Sequence, residues 1–287
     1  MHKILLTGAT GTVGRELVRL LLERGVPVRV LVRRPRLAAA ALGPKVEIHY
    51  GDLSQPATLP GAVEGAVKVF LLTPSSPEQV TLETNLVAAA VKAGTVRHLV
   101  KLSSLGAAED SRVAMSRWHW QVEKRIEETG LPFTFLRPHN FMQNLLDFAP
   151  EIRAQRVFRA PMKSGKMSMV DARDVAAVAA VALTQGGHEG KVHRITGPER
   201  LSFAEAAERI SQAIRRQVTY QNITEEAARE DMARAGWPQW LIEDQLELYR
   251  FFSAGRSMLL TDTVARVTGQ PAIPFARFAK DYRVYFK

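Results

Sequence analysis

KILLTGATGTVGRELVRLLLERG, residues 3–25, followed by PVRVLVRR, residues 27–34, decides the fold. KILLT (3–7) is a short apolar run of strand character. The glycine-rich turn GATGTVG follows without a spacer, and beyond it Val13, Leu17, Leu20 and Leu21 recur on one helix face. PVRVLVRR reads as a second strand. Strand, turn, helix and strand in that order make a βαβ unit. Gly8 lets the chain leave the strand sharply, Gly11 lets the backbone approach a pyrophosphate, and Gly14 lets the helix pack closely on the sheet. The free N–H groups and the dipole at the helix start favour phosphate there. Thr7, Gly8, Thr10, Gly11, Thr12, Val13 and Gly14 are therefore expected at a dinucleotide. A turn serving packing alone is the alternative; the strand before it and the amphipathic helix after it support binding.

The end of the second strand selects the cofactor. An acidic residue there would bond the adenosine ribose hydroxyls and favour NAD. This chain has Arg33 and Arg34 instead. A guanidinium suits a 2′-phosphate through its planar fork and permanent charge. The reading is NADP(H) in preference to NAD(H), with solvated loop arginines as the alternative.

The alternation continues through VEIHYGDL (46–53), VKVFLLTP (67–74), the helix PEQVTLETNLVAAAVKAG (77–94), HLVKLSSLG (98–106) and PFTFLRP (132–138). Such alternation predicts an α/β fold with a doubly wound parallel sheet, whose ligands sit at the carboxyl ends of the strands. Asp52, Leu53, Leu72, Thr73, Pro74, Ser103, Ser104, Pro138 and His139 are expected there. Asp52 could accept a bond from the adenine amino group, although turn chemistry accounts equally well for Asp52 and Thr73.

Composition bounds the remaining possibilities. The 287 residues are 46% hydrophobic and 24% charged, ordinary values for a globular protein. The absence of cysteine excludes disulfides, thiolate zinc sites and a thiol nucleophile, and no metal site is expected. A net charge of +10 is spread over scattered residues rather than a basic run. With no helix-turn-helix or zinc finger, a basic enzyme drawn to anionic ligands is preferred over a nucleic-acid binder. No signal peptide is visible, and VAAVAAVAL (175–183) is too short to span a bilayer. The expectation is a soluble, cytoplasmic protein with no membrane partner.

RWHWQVEK (117–124) carries the chemical question. Many dehydrogenases with such a beginning place Tyr four residues before Lys; here Trp120 stands four residues before Lys124. An indole N–H donates but has no usable acidity. On a helix over 111–129, Met115, Trp118, Val122 and Ile126 share the sheet-facing side, and Trp120 and Lys124 point toward solvent. His119 lies at the border of the apolar face and is the inward candidate. An imidazole there could donate a proton near neutral pH or bond a ligand oxygen; a core-edge histidine bonded to backbone is the alternative.

TGATGTVG, VKLSSLG, VEKRIEETGLPFTFLRPHNFMQNLL, VDARDVAAVA and ITGPERLSFAEAA together resemble the NmrA-like family, a set of atypical short-chain dehydrogenases/reductases. The resemblance covers nearly the whole chain in the same order. It implies an N-terminal Rossmann domain and a smaller, mostly helical C-terminal substrate lobe, with the ligand between them. Relatives include NADPH-dependent quinone reductases, triphenylmethane-dye reductases and isoflavone-type reductases, as well as regulators that bind the dinucleotide without chemistry. A functional Lys of the isoflavone-type reductases aligns with His119, and Ser104 falls where the family's usual Ser polarises a carbonyl.

The expected Rossmann domain is 1–138 with 167–196 returning to it, and the lobe is 139–166 with 197–287. HNFMQNLLDFAPEIRAQ (139–155) is expected to be helical; Asp171 could cap ARDVAAVAAVAL, and Ser202 with Glu205 forms a capping box. Asn140, Phe141, Met142 and Asn144 are the acceptor-pocket candidates, with Phe141 and Met142 equally readable as core. All five tyrosines lie outside the RWHWQVEK helix, so the Ser-Tyr-Lys relay is incomplete. Hydride transfer to a quinone-like or conjugated aromatic acceptor survives that loss, because such acceptors take hydride readily and water supplies the later proton. Ser104 and His119 are the catalytic candidates. The alternative is a non-catalytic NADP(H) sensor acting through a protein partner.

Overall fold

The computed structural model describes residues 3–287. Six strands follow in chain order: β1 (Lys3–Leu6), β2 (Val28–Val32), β3 (Glu47–Tyr50), β4 (Ala66–Leu71), β5 (His98–Leu102) and β6 (Phe133–Pro138). With Lys191–Ile195 they form a seven-stranded sheet in the order β3-β2-β1-β4-β5-β6 and then Lys191–Ile195. The pairings from β3 across to β6 are parallel. The order turns back between β1 and β4, which is where doubly wound sheets bind ligands. β5 is buried along its whole length, as expected of a strand covered on both faces.

The described residues fold into two compact units, the first comprising 3–111, 115–138 and 172–194. In it the helix Thr12–Glu23 buries Val13, Gly14, Leu17, Val18 and Leu21 and packs on Ala172–Thr184. The latter is buried nearly all round, and its alanines allow close approach. The helices Gln79–Ala93 and Ala114–Glu128 contribute Leu86, Val87, Val122 and Ile126 to a core shared with β4, β5 and β6. No helix among the described residues is long and apolar enough to cross a membrane.

The second unit comprises 112–114, 139–171 and 195–287. Its helices are joined by two small sheets, Val157–Ala160 with Thr219–Asn222 and Lys166–Met167 with Leu201–Ser202. Phe158, Phe203, Phe275 and Phe278 anchor its core. Ser202 and Glu205 make the capping box of the helix Phe203–Ile214 in both directions.

Two expectations require correction. Residues 139–155 do not form one helix: a 3₁₀ stretch, Met142–Phe148, gives way to an α-helix, Ala149–Gln155. Pro150 has no N–H to continue the ladder and suits only the first turn of a new helix. Residues 112–114, 167–171 and 195–196, assigned by sequence to the Rossmann domain, belong to the second unit. Met167 pairs with Leu201, Val170 exchanges backbone bonds with Asn140 and Met142, and Thr196 meets Thr261.

Candidate active site

The glycine turn is built so tightly that side chains are excluded. Gly8 has φ +63°, and a Cβ on it would sit 2.8 Å from Leu72 Cγ and 2.9 Å from the Leu72 carbonyl. On Gly14 a Cβ would come within 2.1 Å of the Gly8 carbonyl. Gly11 precedes the helix Thr12–Glu23 in extended conformation with no side-chain cap. Its first N–H groups are therefore left for a ligand. Thr7 ties the ends of β1 and β4 together: its hydroxyl donates to the Leu72 carbonyl at 2.8 Å and accepts from the Leu72 N–H at 2.8 Å.

A cavity of about 820 Å³ in the first unit is lined by Thr7, Gly8, Thr10, Arg33, Arg34, Asp52, Leu53, Leu72, Thr73 and Pro74. Gly11, Thr12, Val13, Gly14, Ser103, Pro138 and His139 are outside its lining; Val13 and Gly14 are buried beneath the turn. Arg15, Leu37, Ser76 and Leu82, which sequence reasoning did not single out, also line it. Arg33 and Arg34 are exposed. Asp52 does turn work with one oxygen, Oδ1, which accepts from the Ser54 N–H at 2.9 Å and hydroxyl at 2.8 Å. Those bonds, and then the charge of Arg33, hold its carboxyl below the usual range.

Next to this cavity lies a buried polar network that the sequence reading did not anticipate. Thr73 donates to Glu83 Oε1 at 2.7 Å, and Lys101 Nζ donates to Glu83 Oε2. Glu83 and Lys101 are both 0% exposed. Gln79, likewise 0% exposed, places Nε2 3.4 Å from Glu83 Oε1 and 3.0 Å from His119 Nδ1. A sequence signal existed. Lys101 interrupts the apolar strand HLVKL, and Gln79 and Glu83 fall on the same helix stripe as Leu86 and Ala90.

Ser103 is buried, and its hydroxyl oxygen has no partner. Ser104 is half-buried, and its Oγ accepts weakly from the Gly106 N–H at 3.3 Å.

On the helix Ala114–Glu128 the buried residues are Ser116, Val122, Glu123 and Ile126. Met115 and Trp118, expected on that face, are only half-buried. Glu123 is buried because Arg137 of β6 pairs with it through Nε at 2.9 Å and through a second nitrogen. Lys124 is exposed and pairs with Glu127 at 2.6 Å, its Nζ 6.0 Å from the centre of the half-buried Trp120 ring. His119 is neither bonded to backbone nor free, since Gln79 holds its Nδ1. Burial, then the charges of Lys101 and Arg137, lower its pKa well below the usual value.

The second unit holds the remaining candidates. His139 is 5% exposed, stacks on Phe252 at 5.6 Å and has both nitrogens engaged. Nδ1 accepts from the Asn140 N–H at 2.6 Å, and Nε2 meets the Ser257 hydroxyl. Burial pushes its pKa down to about 4. Asn140 and Asn144 line a cavity of about 970 Å³ within this unit; Asn144 Nδ2 donates to Asn140 Oδ1 at 2.6 Å. Met142 belongs to the core, and Phe141 bridges Val170.

The first-unit cavity fits a phosphate-bearing dinucleotide. Gly8 and Gly14 of the turn admit no Cβ, the helix that follows is uncapped, two arginines line the cavity, and the buried Ser76 hydroxyl oxygen has no protein partner. Among the described residues no group of three or more His, Cys, Asp or Glu side chains could hold a metal ion.

Comparison with known proteins agrees with this geometry. The model of the NmrA-like family matches residues 1–258. An NAD(P)H azoreductase of Xenophilus azovorans is 44% identical over 99% of both chains. A (4-alkanoyl-5-oxo-2,5-dihydrofuran-3-yl)methyl phosphate reductase of Streptomyces griseus is 38% identical, again over 99% of both. Among solved structures, the NADPH-dependent quinone oxidoreductase of Escherichia coli complexed with NADPH superposes with a TM-score of 0.88 at 27% identity, covering 97% of this chain and 99% of that one. With its parallel sheet, glycine turn and family match across most of its length, this chain belongs to the NmrA-like family of atypical short-chain dehydrogenases/reductases.

Proposed function

We propose that this protein is a reductase that uses NADPH in preference to NADH and reduces an electron-poor conjugated acceptor of the quinone or azo-aromatic class. The carrying observation is the first-unit cavity, which Thr7, Gly8 and Thr10 of the glycine turn line together with Arg33 and Arg34, and from which the chain runs directly into an uncapped helix start. Backbone N–H groups of the turn hold the pyrophosphate, and the arginines hold the 2′-phosphate. The bound dinucleotide supplies the hydride. The protein's part is to orient it, and the unpartnered Ser103 hydroxyl and Ser104 are the groups at the end of β5 available for that task. Asn140 and Asn144 are the acceptor-side amides. With no Tyr on the helix and His119 held neutral, no residue of this set acts as the usual general acid. An acceptor that takes hydride and draws its proton from water matches that equipment. The names of the 44% and 38% identical relatives, both reductases, support the reading.

The test is NADPH oxidation by the purified protein against a panel of quinones, azo dyes and triphenylmethane dyes, with NADH in parallel. Saturable turnover favouring NADPH is expected. Arg33→Ala should weaken NADPH about tenfold, the lower end of a charge-assisted bond at an exposed site, and leave NADH little changed. Equal losses for the two cofactors would sink the 2′-phosphate assignment. Tight NADPH binding without turnover on any acceptor would sink the reductase and favour a sensor.

A further inference from the structure

The reading above leaves unused the fully buried Glu83–Lys101 pair and the Gln79 side chain attached to it. A buried ion pair is seldom a gain in stability over apolar packing, so a role beyond stability is worth seeking. We propose that Gln79 is a positioning residue: anchored on Glu83, it donates to His119 Nδ1 and so presents His119 as a neutral ring whose one proton is on Nε2. His119 is then a hydrogen-bond donor to a ligand oxygen and not a general acid. The role at a ligand rests on the reductase reading; the tautomer does not.

The Gln79 amide turns its nitrogen toward both partners and leaves its buried Oε1 without a hydrogen-bond partner. Gln79 Nε2 lies 3.4 Å from a carboxylate oxygen of Glu83 and 3.0 Å from His119 Nδ1. Turning the amide over would set its oxygen against the Glu83 carboxylate, which cannot donate. The amide nitrogen therefore faces both partners, and Nδ1 must accept. In a neutral imidazole the proton is then on Nε2, which has no other partner among the described residues. Lys101 and Thr73 saturate the rest of Glu83 and keep it in place.

The charges facing His119 act in the same sense. Lys101 on β5 and Arg137 on β6 oppose protonation. The two nearby carboxylates are spoken for, Glu83 by Lys101 and Glu123 by Arg137. A donor to Nδ1 stabilises the neutral ring and adds to that effect.

The experiment uses the full chain labelled with ¹⁵N-histidine, alone and with NADPH, and reads long-range ¹H–¹⁵N correlations from pH 6 to 8. His119→Gln identifies the resonances by their loss. His119 is expected to show an unprotonated Nδ1 and a protonated Nε2 throughout. Gln79→Glu replaces the donor by an acceptor of the same shape. It should put a proton on Nδ1, move the titration up by at least one pH unit, and introduce a neutral-pH limb into the rate of NADPH oxidation. Gln79→Leu should move the titration part of the way toward the ordinary value, a second handle should the glutamate variant fold poorly. Protonated Nδ1 in the native protein, ordinary titration near neutrality, or titration indifferent to both substitutions would overturn the proposal. The expected spectra without turnover on any acceptor would leave Gln79 as the positioning residue and remove the reductase instead.

Discussion

Lowering the pH from 7 to 5 should destabilise this protein through histidines that are buried neutral. His98 is 1% exposed and His139 5% exposed. His98 Nε2 is bonded to Thr134 at 2.8 Å, while its buried Nδ1 has no hydrogen-bond partner. Burial first, and then the charge of Lys68, lowers its pKa to about 4; burial alone takes His139 to about 4. In the unfolded chain both titrate near 6.5. Below that value the unfolded state binds protons that the native state refuses, so stability falls with pH until about 4 is reached. At about 1.36 kcal/mol per pH unit, each histidine removes about 2 kcal/mol between pH 7 and 5. Together they remove about 4 kcal/mol, a large share of the roughly 5–15 kcal/mol typical of a domain. His119, also lowered, adds in the same direction. Carboxylates whose pKa values are depressed, such as Glu47 and Glu205, lose their stabilisation only below about pH 4.5 and stay outside this window. The assay is urea unfolding at pH 7, 6 and 5, followed by circular dichroism and tryptophan fluorescence. His98→Gln and His139→Gln should each flatten the pH dependence by about 2 kcal/mol, whatever their absolute stability. His98 belongs to the first unit and His139 to the second, so separate transitions would each lose about half of the total. Stability flat between pH 7 and 5, or a slope unaltered by both substitutions, would refute the reasoning.

Other consequences are as direct. Gly14→Ala places a methyl 2.1 Å from the Gly8 carbonyl; NADPH affinity measured by fluorescence titration should fall at least tenfold, about 1.4 kcal/mol, and retained affinity would show that the turn can relax. Lys101→Met leaves Glu83 buried and uncompensated and should cost about 3–5 kcal/mol in urea unfolding at pH 7. A loss under about 1 kcal/mol would mean that water reaches the pair. Arg33→Ala, read as the ratio of NADPH to NADH affinity, separates cofactor selection from general anion attraction.

Local patterning made most of the first unit legible. A strand, a glycine turn and an amphipathic helix within residues 3–25 leave few folds open, and the turn residues follow from backbone sterics that any one sequence displays. Arg33 and Arg34 could be assigned to the end of β2 because a strand of known length ends where its apolar run ends. The break at Pro150 was also local and could have been read from proline's missing N–H. What only the tertiary structure decided is which polar side chains are buried together. Gln79, Glu83, Lys101 and His119 come from two helices and a strand and meet only when those elements dock on one another. Helical periodicity put Trp118 on the inner face, but it could not say that Arg137, on β6, would draw Glu123 inside. The same holds for His139, singled out as a ligand contact yet closed off by Phe252 and Ser257, more than a hundred residues further on. Periodicity reports which face of an element is apolar; the partner that neutralises a buried charge or occupies a ring nitrogen is a property of two elements at once, and it exists only after the chain has folded.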